Sequence, residues 1–227
     1  MQPADTAATP PLRTDLINRW IAEALRMVGL SFSVSSPPVG PVPVTRILEA
    51  FGILFQPVPD LTRQRAREFL RLPRNPGGDE PVPDRDHSPL AGLMAHRGSN
   101  SVVLVNAHDI VTRRRFTMAH ELGHHLLHRP RDQNGILRYD LPAEEGGNIS
   151  KKELDYIENE AHLFAASLLM PAPWVRAWFS AQERGKSISP GLACSRLATL
   201  LLVSRIAAAK RLADLALTDP PAPGETP

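Results

Sequence analysis

Proline sets the boundaries of this chain. Its 23 prolines cluster, and each cluster marks a place where regular structure stops, because proline lacks a backbone N–H and restricts the residue before it. Pro/Ala/Thr-rich stretches over residues 3–11 and 219–227 read as disordered ends. The segment from Ser35 to Pro43 separates a first helix from everything that follows. That helix is expected from Asp15 to Met27, with Leu16, Trp20, Ile21, Ala24 and Leu25 recurring at helical spacing. A Pro-, Gly- and Asp-rich stretch from Pro73 to Pro89 reads as a mobile loop. Pro130 and Pro171 each close a helix.

Between these breaks the pattern alternates once and then becomes helical. A short helix over Val44 to Phe51 precedes a strand at Ile53 to Val58, and Asp60 is placed to cap a helix running through Leu70. Residues Leu90 to His96 and Ser101 to Asn106 read as two strands joined by the turn Arg97-Gly98-Ser99-Asn100. The unbroken run Val102 to Val105 suits a strand covered on both faces. Helices follow at Val111 to His128 and Lys151 to Met170, with a polar loop from Arg131 to Ser150 between them. Three shorter helices are expected at Ala172 to Gln182, Pro190 to Leu202 and Ser204 to Leu217. The order predicts an α+β fold, a small sheet packed on a mostly helical body. A single domain spans 13–217, between tails at 1–12 and 218–227.

Composition narrows the chemistry. A net charge of +2 gives no general attraction to nucleic acid or to an acidic membrane surface. The one cysteine, Cys194, allows neither an intramolecular disulfide nor a cysteine-based metal knuckle, and it pairs with no histidine motif, so it reads as a buried small side chain. Any metal site must use histidine and carboxylate. With no basic-then-apolar start and no run near the roughly 20 apolar residues of a membrane helix, the expected location is the cytoplasm.

His120-Glu121-Leu122-Gly123-His124 is the sharpest motif. Histidines four apart stand one turn apart on the same helix face, so both imidazoles can reach one ion, and the intervening glutamate can address the water on that ion. The pentapeptide lies within an apolar-patterned helix that includes Phe116, Met118, Ala119, Leu122, Leu126 and Leu127. A catalytic zinc takes three protein ligands and keeps a fourth position for water. His128 does not suit the third place, because eight residues of straight helix put it about 12 Å from His120. His125 points off the ligand face. Both read as surface residues or as supports for the ligands.

The next long helix offers Glu158 and Glu160, which flank its apolar stripe on opposite sides and so cannot both face one ion. Periodicity does not choose between them. Asp155 and His162 share Glu158's side, which would give that flank polar support.

Arg115-Phe116-Thr117-Met118-Ala119-His120-Glu121-Leu122-Gly123-His124, followed by Leu126-Leu127-His128, resembles the signature of the ImmA/IrrE family of metallopeptidases. Ile157-Glu158-Asn159-Glu160-Ala161-His162, running into Phe164-Ala165-Ala166-Ser167-Leu168-Leu169-Met170-Pro171, is similar to its second hallmark. A looser likeness runs from Leu192 to Leu212, and the whole covers about residues 43–216. The resemblance implies a compact zincin-like metallopeptidase domain with His120, His124 and Glu158 as ligands of one zinc ion and Glu121 as catalytic general base. His162 stands where the family usually has Asn, which leaves it two roles: to support a ligand histidine or to add pH dependence. Histidine and carboxylate donors also suit manganese. Tyr139 and Tyr156 are the two tyrosines, lie in neither hallmark and read as structural.

The resemblance further implies a protein substrate, a helix-turn-helix transcriptional repressor, cleaved to switch on phage, mobile-element or stress genes. Only one helix precedes Pro37, so a separately encoded repressor is the expected partner. The alternative is a regulator on the same fold that binds its repressor without cutting it. The basic run Arg113-Arg114-Arg115 and the last two helices also offer a DNA-binding reading. The arginines read instead as a solvated face, and Leu192, Leu197, Leu200, Leu201, Ile206 and Leu212 as a stripe closing the core.

Overall fold

The computed structural model describes residues 10–32, 40–71, 87–97, 100–128, 135–136, 150–183 and 188–219. The outer parts of both tails, most of the Pro73 to Pro89 stretch, Gly98 and Ser99 of the turn, and Tyr139 lie outside them. Helix α1 (Thr14–Met27) buries Ile17, Ile21, Ala24 and Leu25. The buried stripe therefore runs through Ile17 rather than Leu16, while Trp20 meets Phe51 edge-on at 6.3 Å. Gly29, at φ +77, ends α1. The Leu30 N–H reaches Leu25 O at 2.8 Å and the Gly29 N–H reaches Arg26 O at 3.0 Å. This six-to-one and five-to-two pairing needs a left-handed residue that glycine supplies without a Cβ clash.

Helix α2 (Val44–Ala50) leads into strand β1 (Ile53–Val58), followed by α3 (Arg63–Phe69), β2 (Gly92–Arg97) and β3 (Asn100–Asn106). Thr62, not Asp60, caps α3: its side chain accepts from the Arg65 N–H. Asp60 sits at φ 46 and accepts instead from His108 Nδ1 at 2.9 Å. With the short β4 (Gly135–Ile136), the sheet has the order β1-β3-β2-β4. β1 runs parallel to β3, whereas β2 is antiparallel to both β3 and β4.

β3 is thus interior, and both its faces are covered as the Val102 to Val105 run predicted. Val103 and Val105 join the main core with Met94 and Ile53. Leu104 joins a smaller core with Val58, Leu61, Ala66 and Leu93 on the face under α3.

Helices α4 (Val111–Leu127), α5 (Lys151–Leu169), α6 (Ala172–Glu183), α7 (Pro190–Leu201) and α8 (Arg205–Asp214) complete the α+β domain. Ser150 caps α5 and Ser204 caps α8, each through its side-chain oxygen. Leu197, Leu201 and Leu212 close the core as expected, and Cys194 is buried. Leu192 and Ile206 do not follow: they are exposed, Ile206 at 60%. The basic run is also not a uniform solvated face. Arg115 turns inward and donates to Val42 O at 2.9 Å and to Leu202 O at 3.2 Å, tying α4 to the turns before α2 and α8. Among the described residues no single helix is long and apolar enough to cross a membrane.

Candidate metal centre

The site is built where α4 and α5 cross at close range. Gly123 makes that approach possible: a Cβ there would stand 3.1 Å from Phe164 Cδ1 and 3.3 Å from Ala161 Cα. Glycine on one helix and alanine on the other let the backbones meet. Leu122, Phe164, Ala165 and Leu168 are fully buried in the surrounding core. This packing brings the polar flank of α5 over the histidine face of α4.

His120 and His124 stand one turn apart with their rings nearly perpendicular and their Nε2 atoms 3.0 Å apart. Glu158 of α5 spans the pair: Oε2 lies 3.3 Å from His120 Nε2, and Oε1 lies 3.3 Å from His124 Nε2. Donor atoms about 2.0–2.1 Å from a tetrahedral zinc are separated from one another by about 3.3 Å. The spacing of these three residues fits such an ion, and the set can hold a divalent metal. Glu160, left open by periodicity, does not join it.

Electrostatics agree with this arrangement. Burial pushes the Glu158 carboxyl up, but hydrogen bonds from His120 and His124 outweigh it and hold the group well below the usual carboxylate range. Burial pulls His120 down, favouring the neutral imidazole a metal requires. Glu121 is buried on α4 between the two histidines.

His162 packs against His120 and hydrogen-bonds to the backbone of α5 rather than to a ligand imidazole. Its Nδ1 meets the Glu158 backbone carbonyl at 2.9 Å, and its ring lies against His120 at 4.6 Å and against Phe116 at 5.6 Å. Beyond Phe116 and His162 opens a mainly apolar groove of about 850 Å³, whose wall includes Leu163, Ala166, Ile206 and Ala207. The two helices that hold the histidines and Glu158 therefore also form part of a groove beside them.

A second polar cluster lies behind His124. His128 is not a surface residue: its side chain is 4% exposed, and its Nε2 meets Glu160 Oε2 at 2.9 Å. Arg13, just before α1, grips Glu160 through its guanidinium and through its backbone N–H at 2.8 Å. The Tyr156 hydroxyl donates to Glu160 Oε1 at 3.0 Å, which gives Tyr156 the structural place expected of it. Burial pushes the Glu160 carboxyl up, yet Arg13, His128 and Tyr156 together bring it down to about 2. Burial lowers His128 to about 4. The sequence reading missed Arg13 and Glu160 as partners, since 147 residues separate them and neither follows a local pattern.

The IrrE N-terminal-like domain family matches residues 79–213, more than half of the chain and all of the region holding β2, β3, α4 and α5. The chain belongs to the ImmA/IrrE metallopeptidase family. Among curated proteins it is similar to metallopeptidase ImmA of Bacillus subtilis (strain 168), at 29% identity over 79 residues. That alignment covers 35% of this chain and 41% of the relative, so the chain spans less than half the length of the curated protein it matches. In an ImmA/IrrE metallopeptidase domain, a pair of histidines on one helix facing a glutamate on the next is a site that fits a metal ion.

Proposed function

We propose that this protein is a zinc-dependent endopeptidase with His120, His124 and Glu158 as zinc ligands. The observation that carries this reading is the spacing of donor atoms drawn from two helices: the Nε2 atoms of His120 and His124 lie 3.0 Å apart, and each lies 3.3 Å from one of the two Glu158 oxygens. Bound there, zinc would supply a Lewis acid and lower the pKa of its water towards neutrality. Two neutral imidazoles and one carboxylate leave the site a net positive charge, which favours negative charge developing on the substrate. Glu121 serves as general base: it accepts a proton as water attacks the scissile carbonyl and returns it to the departing amine. Phe116 and His162 form the wall between His120 and the apolar groove, where an apolar side chain of the substrate can be excluded from water.

The substrate we propose is a separately encoded helix-turn-helix repressor, cut in the cytoplasm to derepress phage, mobile-element or stress genes. This rests on family membership. The test is to incubate the zinc-loaded protein with candidate helix-turn-helix repressors from the same genome and to resolve the products by mass spectrometry. Discrete fragments from wild type, absent with Glu121→Gln, are expected. A lasting complex with intact repressor would overturn the endopeptidase in favour of a binder that does not cut.

A further inference from the structure

The apolar groove is set apart from the ligand histidines. None of His120, Glu121, His124 and Glu158 lines it. The rings of Phe116 and His162 stand between, 6.3 Å and 4.6 Å from the His120 ring and 5.6 Å from each other. Its volume of about 850 Å³ exceeds what one side chain fills, since pockets of about 300–1,000 Å³ hold whole small molecules. A chain lying there is in contact with the protein at a distance from the bond being cut.

The apolar lining continues onto the open surface. Ile206, in the first turn of α8, is 60% exposed, and Ile110, just before α4, is 71% exposed. Both line the groove, whereas Ala166 and Ala207 within it are half-buried. Arg115 holds the start of α8 beside α4 through its bond to Leu202 O. A small molecule sunk against the alanines would leave both isoleucines in water. A longer segment laid across the groove covers them.

Charge selects the segment. Of the four charged residues in the lining, Arg113, Lys210 and Arg211 are basic and Asp214 is acidic. Arg211 is buried and donates to Met170 O, and Arg113 is paired with Asp109. Lys210 is exposed and stands four residues past Ile206, so the two share one face of α8.

We infer that the groove docks an amphipathic helix of the protein substrate, apolar on the face laid into the groove and acidic on the flank beside Lys210. The walls come from α4, α5 and α8, and Ala166 and Ala207 let a further helix approach to the roughly 8–10 Å at which helices pack. Apolar anchors at i, i+3 or i+4 and i+7 are how a helix fills such a groove. Contact away from the scissile carbonyl adds affinity for the correct substrate without altering the attack on it. Naming the occupant as substrate rests on the endopeptidase reading above, but the docking itself needs no metal.

A fluorescein-labelled peptide of about four helical turns (~15 residues) tests it, with leucines at the anchor spacing and glutamates on both flanks. Anisotropy titrations with the full chain, with and without a chelator, should both give a Kd in the micromolar range. Replacing the glutamates by lysines, or placing two prolines at the centre, should weaken binding about tenfold or more. Ile206→Asp is placed at an exposed first-turn position where an acidic residue suits the helix dipole, and circular dichroism checks its fold. It should lose about tenfold or more in affinity, and Lys210→Glu should reverse the preference between the two flanks. No saturable binding, equal binding of both flanks, or undiminished binding to Ile206→Asp would overturn the docking site. Self-association of the chain that Ile206→Asp abolishes in sedimentation would overturn it in favour of a second copy. Peptide docking with the repressor left intact would overturn the endopeptidase and leave the groove. Cleavage of the repressor without peptide docking would overturn the groove and leave the endopeptidase.

Discussion

Glu158 and Glu160 stand two positions apart on α5 and engage different nitrogens of the histidine network. Glu158 closes the site from the open side, 3.3 Å from the Nε2 atoms of His120 and His124. Glu160 meets His128 from behind, where His128 in turn faces His124 Nδ1. A helix advances about 100° per residue, so carboxylates two apart diverge widely and can serve two sides of one cluster. The division explains how two acidic groups are accommodated beside a site of this size: one faces the metal position and the other is neutralised by Arg13.

Glu158→Ala should therefore remove the metal. Two histidines remain, but a structural triad has become a pair, and the loss should exceed the 10–100-fold typical of removing an outer support. Metal content after exhaustive dialysis checks this. About one zinc per chain is expected in wild type and far less in the variant. Full occupancy in Glu158→Ala would show that the third ligand comes from elsewhere.

Glu121→Gln should separate binding from catalysis. The amide keeps the size of the side chain but cannot take a proton, so zinc content should stay near wild type while cleavage falls by about 10²–10⁴. Parallel metal analysis and fragment detection on one preparation make the comparison. Undiminished cleavage would remove Glu121 from the role of general base.

What the sequence made legible followed from local periodicity. The i, i+4 spacing of His120 and His124 puts both on one face whatever surrounds them, and β1 begins and ends where its apolar run does, at Ile53 and Val58. Asp60 illustrates a competing local choice, since Thr62 is also a capping residue and lies directly before the first helical turn. Nothing local announces that β1 pairs in parallel with β3 rather than with β2, because register across 47 intervening residues is set by the packing of α3 and the helices. The same holds for Arg13 and Glu160. Their pairing is a tertiary fact, visible only once α1 lies against α5. Ile206 shows the limit in the other direction: its spacing fits the apolar stripe, yet it stands on the groove wall and is largely exposed.

Gly123→Val should loosen the centre without touching a ligand. The first added atom would already crowd the Ala161 backbone and the Phe164 ring, and the two further methyl groups need more room between α4 and α5. Overpacking of this kind costs about 1–3 kcal/mol, or a fall of about 2–12 °C in the melting temperature for a chain of this size. Because α5 carries Glu158, zinc affinity should drop along with stability. Calorimetry and chelator competition measure the two effects, and unchanged affinity would mean that the α4–α5 spacing does not set the ligand geometry.

Arg13→Ala tests how the N-terminal segment is bound to the core. Glu160 would keep the backbone N–H of residue 13, the Tyr156 hydroxyl and His128 Nε2, but its carboxylate would lose the only guanidinium that the described residues place on it. Arg13 is 43% exposed while Glu160 is fully buried, so solvent screens the pair in part and the three remaining donors reduce the penalty further; a loss of about 1–2 kcal/mol is expected. Most of this loss comes from the stranded charge rather than from the missing contact. Glu160→Gln introduced into the Arg13→Ala background should therefore cost less than the same change in wild type, and the double-mutant cycle should give a coupling of about 1 kcal/mol or more. Chemical denaturation of the four proteins in metal-free buffer supplies the cycle. Simple additivity would show that Arg13 packs against α5 without governing the charge of Glu160.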